Sequence, residues 1–290
     1  MQISTFSSSK KIVCIRSSTC KQVCLGILLI VILWLLKSVQ EELAGPYIRI
    51  EGLQSIQVSS SEYPYFSYFV HKPSSTAYQK KSLFYKTTSP LTVLPPYDHY
   101  TFTFSYEGQQ QILLHYSPTL NALYDNYHLL EPSSKLKEVL LDLTALYSQE
   151  VYKTYGALVV WEEVDKLFSM YATAKITDIY TGNSFNVQRR EGSSHVDAQP
   201  LTAADTAIMK KIYGGQWSWE RRGIIVEVQG YRIAASMHGM PHGGGKIDDN
   251  NFPGHFCIHF LGSTIHMGGM DIGHHREILK AAGKLPLDDF

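Results

Sequence analysis

The residues best suited to chemistry lie near the end of the chain, in the stretch GHFCIHF, where Cys257 stands between His255 and His259. Seven of the twelve histidines fall between His238 and His275, with this cysteine among them. Two kinds of site need such a group. A thiol nucleophile needs an imidazole that accepts its proton, and a zinc ion needs three or four nitrogen, sulfur or oxygen ligands.

The thiol is also unusual in its compartment. Of the four cysteines, Cys14 and Cys20 precede an apolar run and Cys24 lies within it, so Cys257 is the only one in the portion expected outside the membrane. A lone thiol in an oxidising compartment is open to oxidation and mispairing. It is therefore either buried and inert or kept for its reactivity. The flanking histidines favour reactivity, and we expect a thiol pKa below the roughly 8.5 of free cysteine.

The N-terminal 40 residues are typical of a membrane-targeting segment. Basic residues precede an uncharged run over 23–36, and Lys37 closes it. We assign 1–22 to a cytoplasmic basic tail and 23–39 to a transmembrane anchor. The run is short for a span, which takes about 17 to 25 residues, but flanking lysines extend it by snorkelling. The alternative is a cleaved signal peptide. We favour an uncleaved single-pass anchor because no small-x-small site follows the run.

Charge then sets the orientation and limits the partners. A positive flank on the inner side places the C-terminal portion outside the cell membrane, in an extracytoplasmic location. The composition, 44% hydrophobic and 18% charged with zero formal net charge, is that of a globular protein. Beyond the N-terminal tail, no basic stripe interleaved with aromatic residues is present, so nucleic acid is not an expected partner.

The elements before the histidine cluster are readable from periodicity. Over 46–131, alternating runs and the stretch HYTFTFSYEGQQQILLHY, broken at Glu107 and Gly108, predict a small β-rich domain. We assign 132–174 to a helical linker. Its first helix follows Pro132 and Ser133 and carries apolar residues at helical spacing, which are Leu136, Val139, Leu140, Leu143 and Leu146. A shorter helical pattern, VWEEVDKLFSMYA, follows.

The region 175–290 is predicted to position the chemical residues. KITDIYTGNSFNVQRR indicates a hairpin, and LTAADTAIMKKIYGG a helix that Thr202 caps and Gly214 ends. RRGIIVEVQGYRIAASM indicates two strands around a Gln-Gly turn, followed by a glycine-rich loop with His238 and His242. If the last strand turns alternate apolar residues inward, His255, Cys257 and His259 share its other face. The predicted fold class is mainly β with a few helices (α+β).

The stretch MHGMPHGGGKIDDNNFPGHFCIHF resembles the signature of the L,D-transpeptidase catalytic domain. In that family a His-Gly at a strand end is followed, after roughly fifteen residues, by Ser or Thr, His, Gly, Cys, a hydrophobic residue and then Arg or Asn. Carried over by position, His238 and Gly239 match the first pair, His255 the later histidine and Cys257 the nucleophile. Ile258 matches the hydrophobic residue.

Three positions depart from the family's pattern: Gly254 replaces Ser or Thr, Phe256 replaces Gly, and His259 replaces Arg or Asn. His242 with Gly243 is a second match for the first His-Gly. The resemblance covers about residues 175–266. As a whole, the chain also resembles a group of membrane-anchored proteins of spore-forming Gram-positive bacteria, a likeness that names no chemistry.

The resemblance implies an extracytoplasmic cell-wall transferase with a mainly β catalytic domain. Cys257 would form a thioester with a peptidoglycan stem peptide and pass the acyl group to an amine or to water. His238 or His242 would be the base, with His255 and His259 completing the catalytic set. His259, in place of Arg, would be a positioning group or contact a substrate carboxylate. No cofactor and no metal ion are assigned in this hypothesis.

Substrate contacts are predicted at six residues, which are Gly239, Gly243, Trp217, Trp219, Arg221 and Arg222. The glycines would admit substrate to the backbone. The tryptophans and arginines of GGQWSWERR would stack on sugars and bind carboxylates. Packing beneath a solvated strand edge explains the same pattern equally well.

Two other functions stay open. A zinc-dependent wall hydrolase would use His255 and His259, whose spacing is that of paired ligands on a helix, with His195 and Asp197 as further ligands. The β-preferring residues around Cys257 favour a strand instead. A non-catalytic peptidoglycan-binding or sporulation scaffold would explain the β-rich domain but leaves the histidines without a role.

Overall fold

The computed structural model describes residues 47–48, 52–71, 83–90, 99–266 and 268–287. The expected tail and anchor over 1–39, with Cys14, Cys20 and Cys24, lie outside the described residues. Within the described part, no helix is both long and apolar enough to cross a membrane. This part is mainly β with four helices.

The first half of the described chain forms an eight-stranded sheet. Its strands are β1 (Tyr47–Ile48), β2 (Leu53–Ser60), β3 (Ser67–His71), β4 (Leu83–Pro90), β5 (Tyr100–Tyr106), β6 (Gln111–Ser117), β7 (Ala122–Tyr124) and β8 (His128–Pro132). They run in the order β1-β4-β8-β7-β6-β5-β2-β3. The hairpin predicted around Glu107 and Gly108 is confirmed, because β5 pairs with β6 and Gly108 takes φ 77° in the turn.

Helix α1 (Ser134–Thr154) packs across this sheet. Ser133 caps it by accepting the backbone N–H of Leu136 at 3.2 Å. The buried face consists of Leu136, Val139, Leu140, Leu143, Tyr147 and Val151. Leu146, predicted on that face, is 42% exposed, since the stripe continues to Tyr147 instead. Because its core-facing side chains are buried against the sheet, α1 belongs to the first hydrophobic core.

The second half forms a closed six-stranded barrel. Its strands are β9 (Thr173–Asp178), β10 (Ser184–Glu191), β11 (Val196–Pro200), β12 (Arg222–Val228), β13 (Tyr231–Met237) and β14 (Phe256–His259). The order around the barrel is β10-β11-β14-β13-β12-β9. β12 and β13 meet at Gln229 and Gly230, both with positive φ (50° and 83°), as a tight hairpin turn requires.

Three helices surround the barrel: α2 (Trp161–Leu167), α3 (Ala203–Ile212) and α4 (Ile272–Ala281). α2 contributes Trp161 and Val164 to the barrel core, so the two helices predicted as one linker serve different cores. The predicted cap and stop of α3 are confirmed: Thr202 accepts the N–H of Asp205 at 3.2 Å, and Gly214 takes φ 66°. α4 begins at its cap Asp271 and packs against β12 and β13.

The two halves are in direct contact. Ala157 forms a parallel bridge with Ile233, and a Cβ at Gly156 would lie 2.4 Å from the backbone nitrogen of Ala234. Only glycine therefore fits where the chain passes from α1 onto the barrel.

Candidate active site

The outer face of strand β14 carries the candidate site. Phe256 and Ile258 point into the barrel core with 0% exposure, so Cys257 and His259 project from the opposite face. This alternation agrees with the strand arrangement expected from the sequence. The helical spacing of His255 and His259 does not apply, because His255 forms a β-bridge with His242 and His259 ends β14.

Neighbouring strands add side chains to the same face. Asp197 of β11 is paired in register with Cys257, and Ser236 of β13 is paired with His259. His195 precedes β11 and is 1% exposed. The site is thus built on three adjacent strands of the barrel, with loops and the start of α4 above them.

Cys257 contacts an imidazole whose orientation is fixed by the backbone. Its Sγ lies 3.4 Å from Nε2 of His242, whose Nδ1 donates to the carbonyl oxygen of Met240 at 3.1 Å. A carbonyl can only accept, so the neutral ring carries its proton on Nδ1 and offers an Nε2 lone pair to the thiol. His238 differs: its Nδ1 accepts the N–H of Met240 at 3.3 Å. Of the two predicted bases, the geometry favours His242.

A carboxylate lies beside this pair. Asp197 Oδ1 is 3.6 Å from Cys257 Sγ, 3.2 Å from His195 Nε2 and 3.7 Å from His255 Nε2. Burial alone would raise the pKa of Asp197. The His195 contact and the nearby imidazoles of His255 and His266 outweigh it, so the pKa is lowered from its ordinary value. Asp197 therefore stays a carboxylate near neutral pH.

The expectation of a low thiol pKa is wrong. Cys257 is only 4% exposed, and burial, followed by the charge of Asp197 and the hydrogen bond to it, raises its pKa well above that of a free thiol. The resting residue is a protonated thiol. Any nucleophilic role then requires a base that removes the proton as the reaction proceeds.

A column of stacked imidazoles lies next to the thiol. The His259 ring lies between those of His195 and His274, with centroids 4.5 and 4.0 Å away and planes within 11°. Burial, then the neighbouring His195 ring, lowers the pKa of His259 to about 3; burial, then His259, lowers the pKa of His274 to about 2. His238 is lowered to about 3 by burial, then His242.

These three rings are therefore neutral near pH 7. His259 is 3% exposed. A neutral, buried ring does not suit the substrate-carboxylate contact that the resemblance implied for its position.

The two glycines predicted to contact substrate, Gly239 and Gly243, pack instead against other side chains of this chain. A Cβ on Gly239 would lie 2.4 Å from the Tyr213 ring, and a Cβ on Gly243 would lie 2.4 Å from Cε1 of His255. Gly243 also takes φ 59°. Both glycines are thus needed for internal packing, and Gly243 in particular lets the loop close over His255.

Of the four aromatic and basic candidates, Trp219 lies nearest the site. Trp219 is 48% exposed, and its ring lies 4.6 Å from the His238 ring and 5.2 Å from the His242 ring. Trp217 instead packs edge-on against Phe252.

The two arginines are engaged within the chain. Arg221 pairs with Asp271 at 2.7 Å. Arg222 binds both oxygens of the fully buried Asp178, at 2.9 and 3.0 Å. These contacts give Arg222 a structural role, whereas Arg221 remains partly exposed.

Two site residues were not selected from the sequence. His266 is exposed, and its ring lies 4.6 Å from that of His195; His274 hydrogen-bonds Ser236 at 2.8 Å. The bunching of histidines up to His275 was the available signal. The Met240 carbonyl that orients the base has no signature in the sequence.

Comparison with protein-family models, curated proteins and solved structures gives no significant match. The chemistry must therefore be read from the site. It holds a thiol, an oriented neutral imidazole and a carboxylate surrounded by further imidazoles. This set suits either acyl transfer through sulfur or coordination of a cation.

Proposed function

We propose that the chain is an extracytoplasmic cysteine acyltransferase that acts on peptidoglycan stem peptides, with Cys257 as nucleophile and His242 as base. The observation that carries the proposal is the 3.4 Å contact between Cys257 Sγ and an Nε2 lone pair whose orientation the Met240 carbonyl sets. A nucleophile, a base in reach and a group that orients the base are the elements of covalent acyl transfer.

In the first half-reaction, the Cys257 S–H bond breaks and its proton moves to His242 Nε2 while sulfur attacks the amide carbonyl carbon. The tetrahedral intermediate collapses, the C–N bond breaks, and His242 returns the proton to the departing amine. A thioester on Cys257 remains. In the second half-reaction an amine or water attacks the thioester carbonyl while His242 takes its proton. The C–S bond then breaks, the new amide or acid leaves, and His242 returns the proton to the Cys257 sulfur.

The charge of Asp197 affects the proton transfer in these two half-reactions. Its charge opposes the thiolate but stabilises protonated His242, because a carboxylate favours nearby imidazolium. The proton transfer is therefore coupled to attack, as in a serine enzyme, and does not precede it. Because Cys257 is 4% exposed, acylation also requires that the segment over 261–266, which brings His266 close to the thiol, move aside.

The wall substrate and the location belong to the same proposal. The resemblance around Cys257 supports a stem-peptide substrate, and the basic flank before the 23–36 run supports an anchor with the barrel outside. Trp219, exposed beside the rings of His238 and His242, is suited to stack on a sugar or peptide plane.

The test is acylation of the detergent-solubilised full chain in EDTA. Cys14, Cys20 and Cys24 are replaced by Ala, so that Cys257 is the only thiol. A carbapenem or a tetrapeptide stem is added, and intact mass reports the adduct. We expect one adduct, absent in Cys257→Ala, and a rate at least about 100-fold lower in His242→Ala, as loss of a general base gives.

His128→Ala, in the distant first sheet, is the matched control and should acylate at the parent rate. A folded parent protein that forms no adduct, or a His242→Ala variant that reacts as fast as the parent, would show that this pair does not perform acyl transfer.

A further inference from the structure

Three imidazoles at the site share one hydrogen-bonding pattern. Nδ1 of His195 donates to the Thr264 carbonyl at 2.8 Å, and Nδ1 of His255 donates to the Gly244 carbonyl at 2.9 Å. His242 follows the same pattern through Met240. In each neutral ring the proton is thereby held on Nδ1, and Nε2 presents a lone pair. Metal-ligating histidines in proteins are oriented in this way by carbonyls behind them.

Two of these lone pairs face a negative charge. Nε2 of His195 and Nε2 of His255 are buried without a hydrogen-bond partner, yet they lie 3.2 and 3.7 Å from Asp197 Oδ1. These contacts stabilise Asp197 only when the facing nitrogens carry protons; in the neutral tautomers their lone pairs repel the carboxylate, and a buried charge without a counter-charge is costly. A cation bound between His195 and Asp197 takes up the His195 lone pair and supplies the counter-charge that the carboxylate lacks.

The spacing suits a small tetrahedral ion. Ligand atoms about 2.0 to 2.3 Å from a zinc ion lie roughly 3.3 to 3.7 Å from one another. The separations from Asp197 Oδ1 to Cys257 Sγ and to His195 Nε2 are 3.6 and 3.2 Å. The ligand atoms of these three residues and of His266 all lie within 4.8 Å of one another.

We propose that His195, Asp197, Cys257 and His266 bind one divalent zinc ion. A mixed sulfur, nitrogen and oxygen set selects zinc over magnesium or calcium, which take oxygen ligands. Two neutral imidazoles, a carboxylate and a thiolate make the occupied centre electrically neutral. Binding breaks the Cys257 S–H bond, forms the zinc–sulfur bond and releases the proton to solvent.

This ligand set has a functional consequence. All four positions of the ion are taken by protein side chains, as in structural sites, and no position remains for the water that a zinc hydrolase activates. Zinc and an acyl group also compete for the same sulfur. Zinc therefore switches off the thiol chemistry proposed above. Metal binding itself does not depend on that chemistry, but its inhibitory effect does.

Cobalt is the probe, because a thiolate bound to Co²⁺ gives a charge-transfer band and a tetrahedral site gives intense visible bands. The EDTA-treated full chain without Cys14, Cys20 and Cys24 is titrated with Co²⁺ and then with Zn²⁺. We expect one ion per chain, displaced by zinc. The thiolate band is lost in Cys257→Ser, and affinity falls by at least about 100-fold in His195→Ala, since removal of outer-shell partners alone costs about 10- to 100-fold.

Two further variants separate loss of a ligand from general damage to the site. His266→Ala changes an exposed side chain and so tests a ligand without disturbing the core; weaker cobalt binding is expected. His242→Ala removes the proposed base but no ligand of this set, and it should still bind one cobalt ion. Absence of bound metal, or a cobalt spectrum unaltered by Cys257→Ser, overturns the site.

The experiments distinguish failure of the zinc site from failure of the acyl-transfer proposal. Metal binding without any acylation in EDTA would reject acyl transfer and keep the zinc site. Acylation in EDTA without any metal binding would reject the zinc site and keep acyl transfer. Acylation that is equally fast in the zinc-loaded and EDTA-treated protein would reject the inhibitory role.

Discussion

His242 and His255 exchange two backbone hydrogen bonds, with N–O distances of 3.0 and 2.9 Å, between the glycine-rich loop and the start of β14. Their rings pack at 4.5 Å. This bridge sets the backbone of His242, and the Met240 carbonyl sets its ring. The proposed base therefore depends on the conformation of one loop, which makes that loop a sensitive place to test the site.

Gly243→Ala should displace the base. A Cβ there would lie 2.4 Å from His255 Cε1, and φ is 59°. We expect a loss of about 1 to 2 kcal/mol in the free energy of unfolding and roughly 100-fold slower acylation, since a shift of about 1 Å at a reacting group costs that much. Gly244→Ala is the control, because a Cβ there meets nothing within 4 Å. Equal rates in the two variants would contradict the proposed importance of the bridge.

Asp197→Asn should make the thiol easier to ionise. Burial and, after it, the Asp197 carboxylate raise the pKa of Cys257, so removal of the charge lowers this pKa and shifts the midpoint of the alkylation-rate profile to lower pH. The parent midpoint should lie above the roughly 8.5 of a free thiol. Iodoacetamide labelling in EDTA, read by mass, measures both profiles. Asp248→Asn, at an exposed position, should match the parent; a parent midpoint below 8.5 would refute this account.

Arg222→Ala should affect stability more than substrate affinity. Arg222 neutralises Asp178, which is 0% exposed, and breaking one partner from a buried pair costs about 3 to 5 kcal/mol. Arg221→Ala, which breaks the partly exposed pair with Asp271, should cost about 0 to 1 kcal/mol. Urea denaturation of both variants and of the parent measures the loss in the free energy of unfolding. An Arg222→Ala protein of parent stability but raised KM would restore its role in substrate binding.

The anchor prediction is tested by topology. In cells stripped of their wall, external protease should degrade the barrel, because the positive flank of the anchor stays inside. Removal of residues 1–40 should release a soluble protein, because the expected anchor is then absent. An antibody to the C-terminal region follows the fragment, and a cytoplasmic protein serves as the control for intact membranes. Protection of the barrel in intact stripped cells would refute the orientation.

Local structure was largely predictable. The hairpin of β9 and β10, the turn between β12 and β13 and the capped helix α3 each follow from a few neighbouring residues. The inward side of β14 followed from its alternating apolar residues. The sequence did not indicate that α1 packs in the core of the first sheet and α2 in the barrel core, because which core a helix joins is set by contacts far away in the sequence.

The sequence by itself determined that one thiol would lie among histidines on one face of a strand, since side-chain direction alternates along any strand. Only the tertiary structure decided which partners meet that thiol. Closure of the barrel puts β11 beside β14 and so brings Asp197 to Cys257, while the 240–246 loop selects His242 over His238. These pairings depend on strand register and loop closure between distant segments, and no local pattern encodes them. Because of these pairings, the thiol that was expected to have a low pKa is protonated and lies beside a carboxylate.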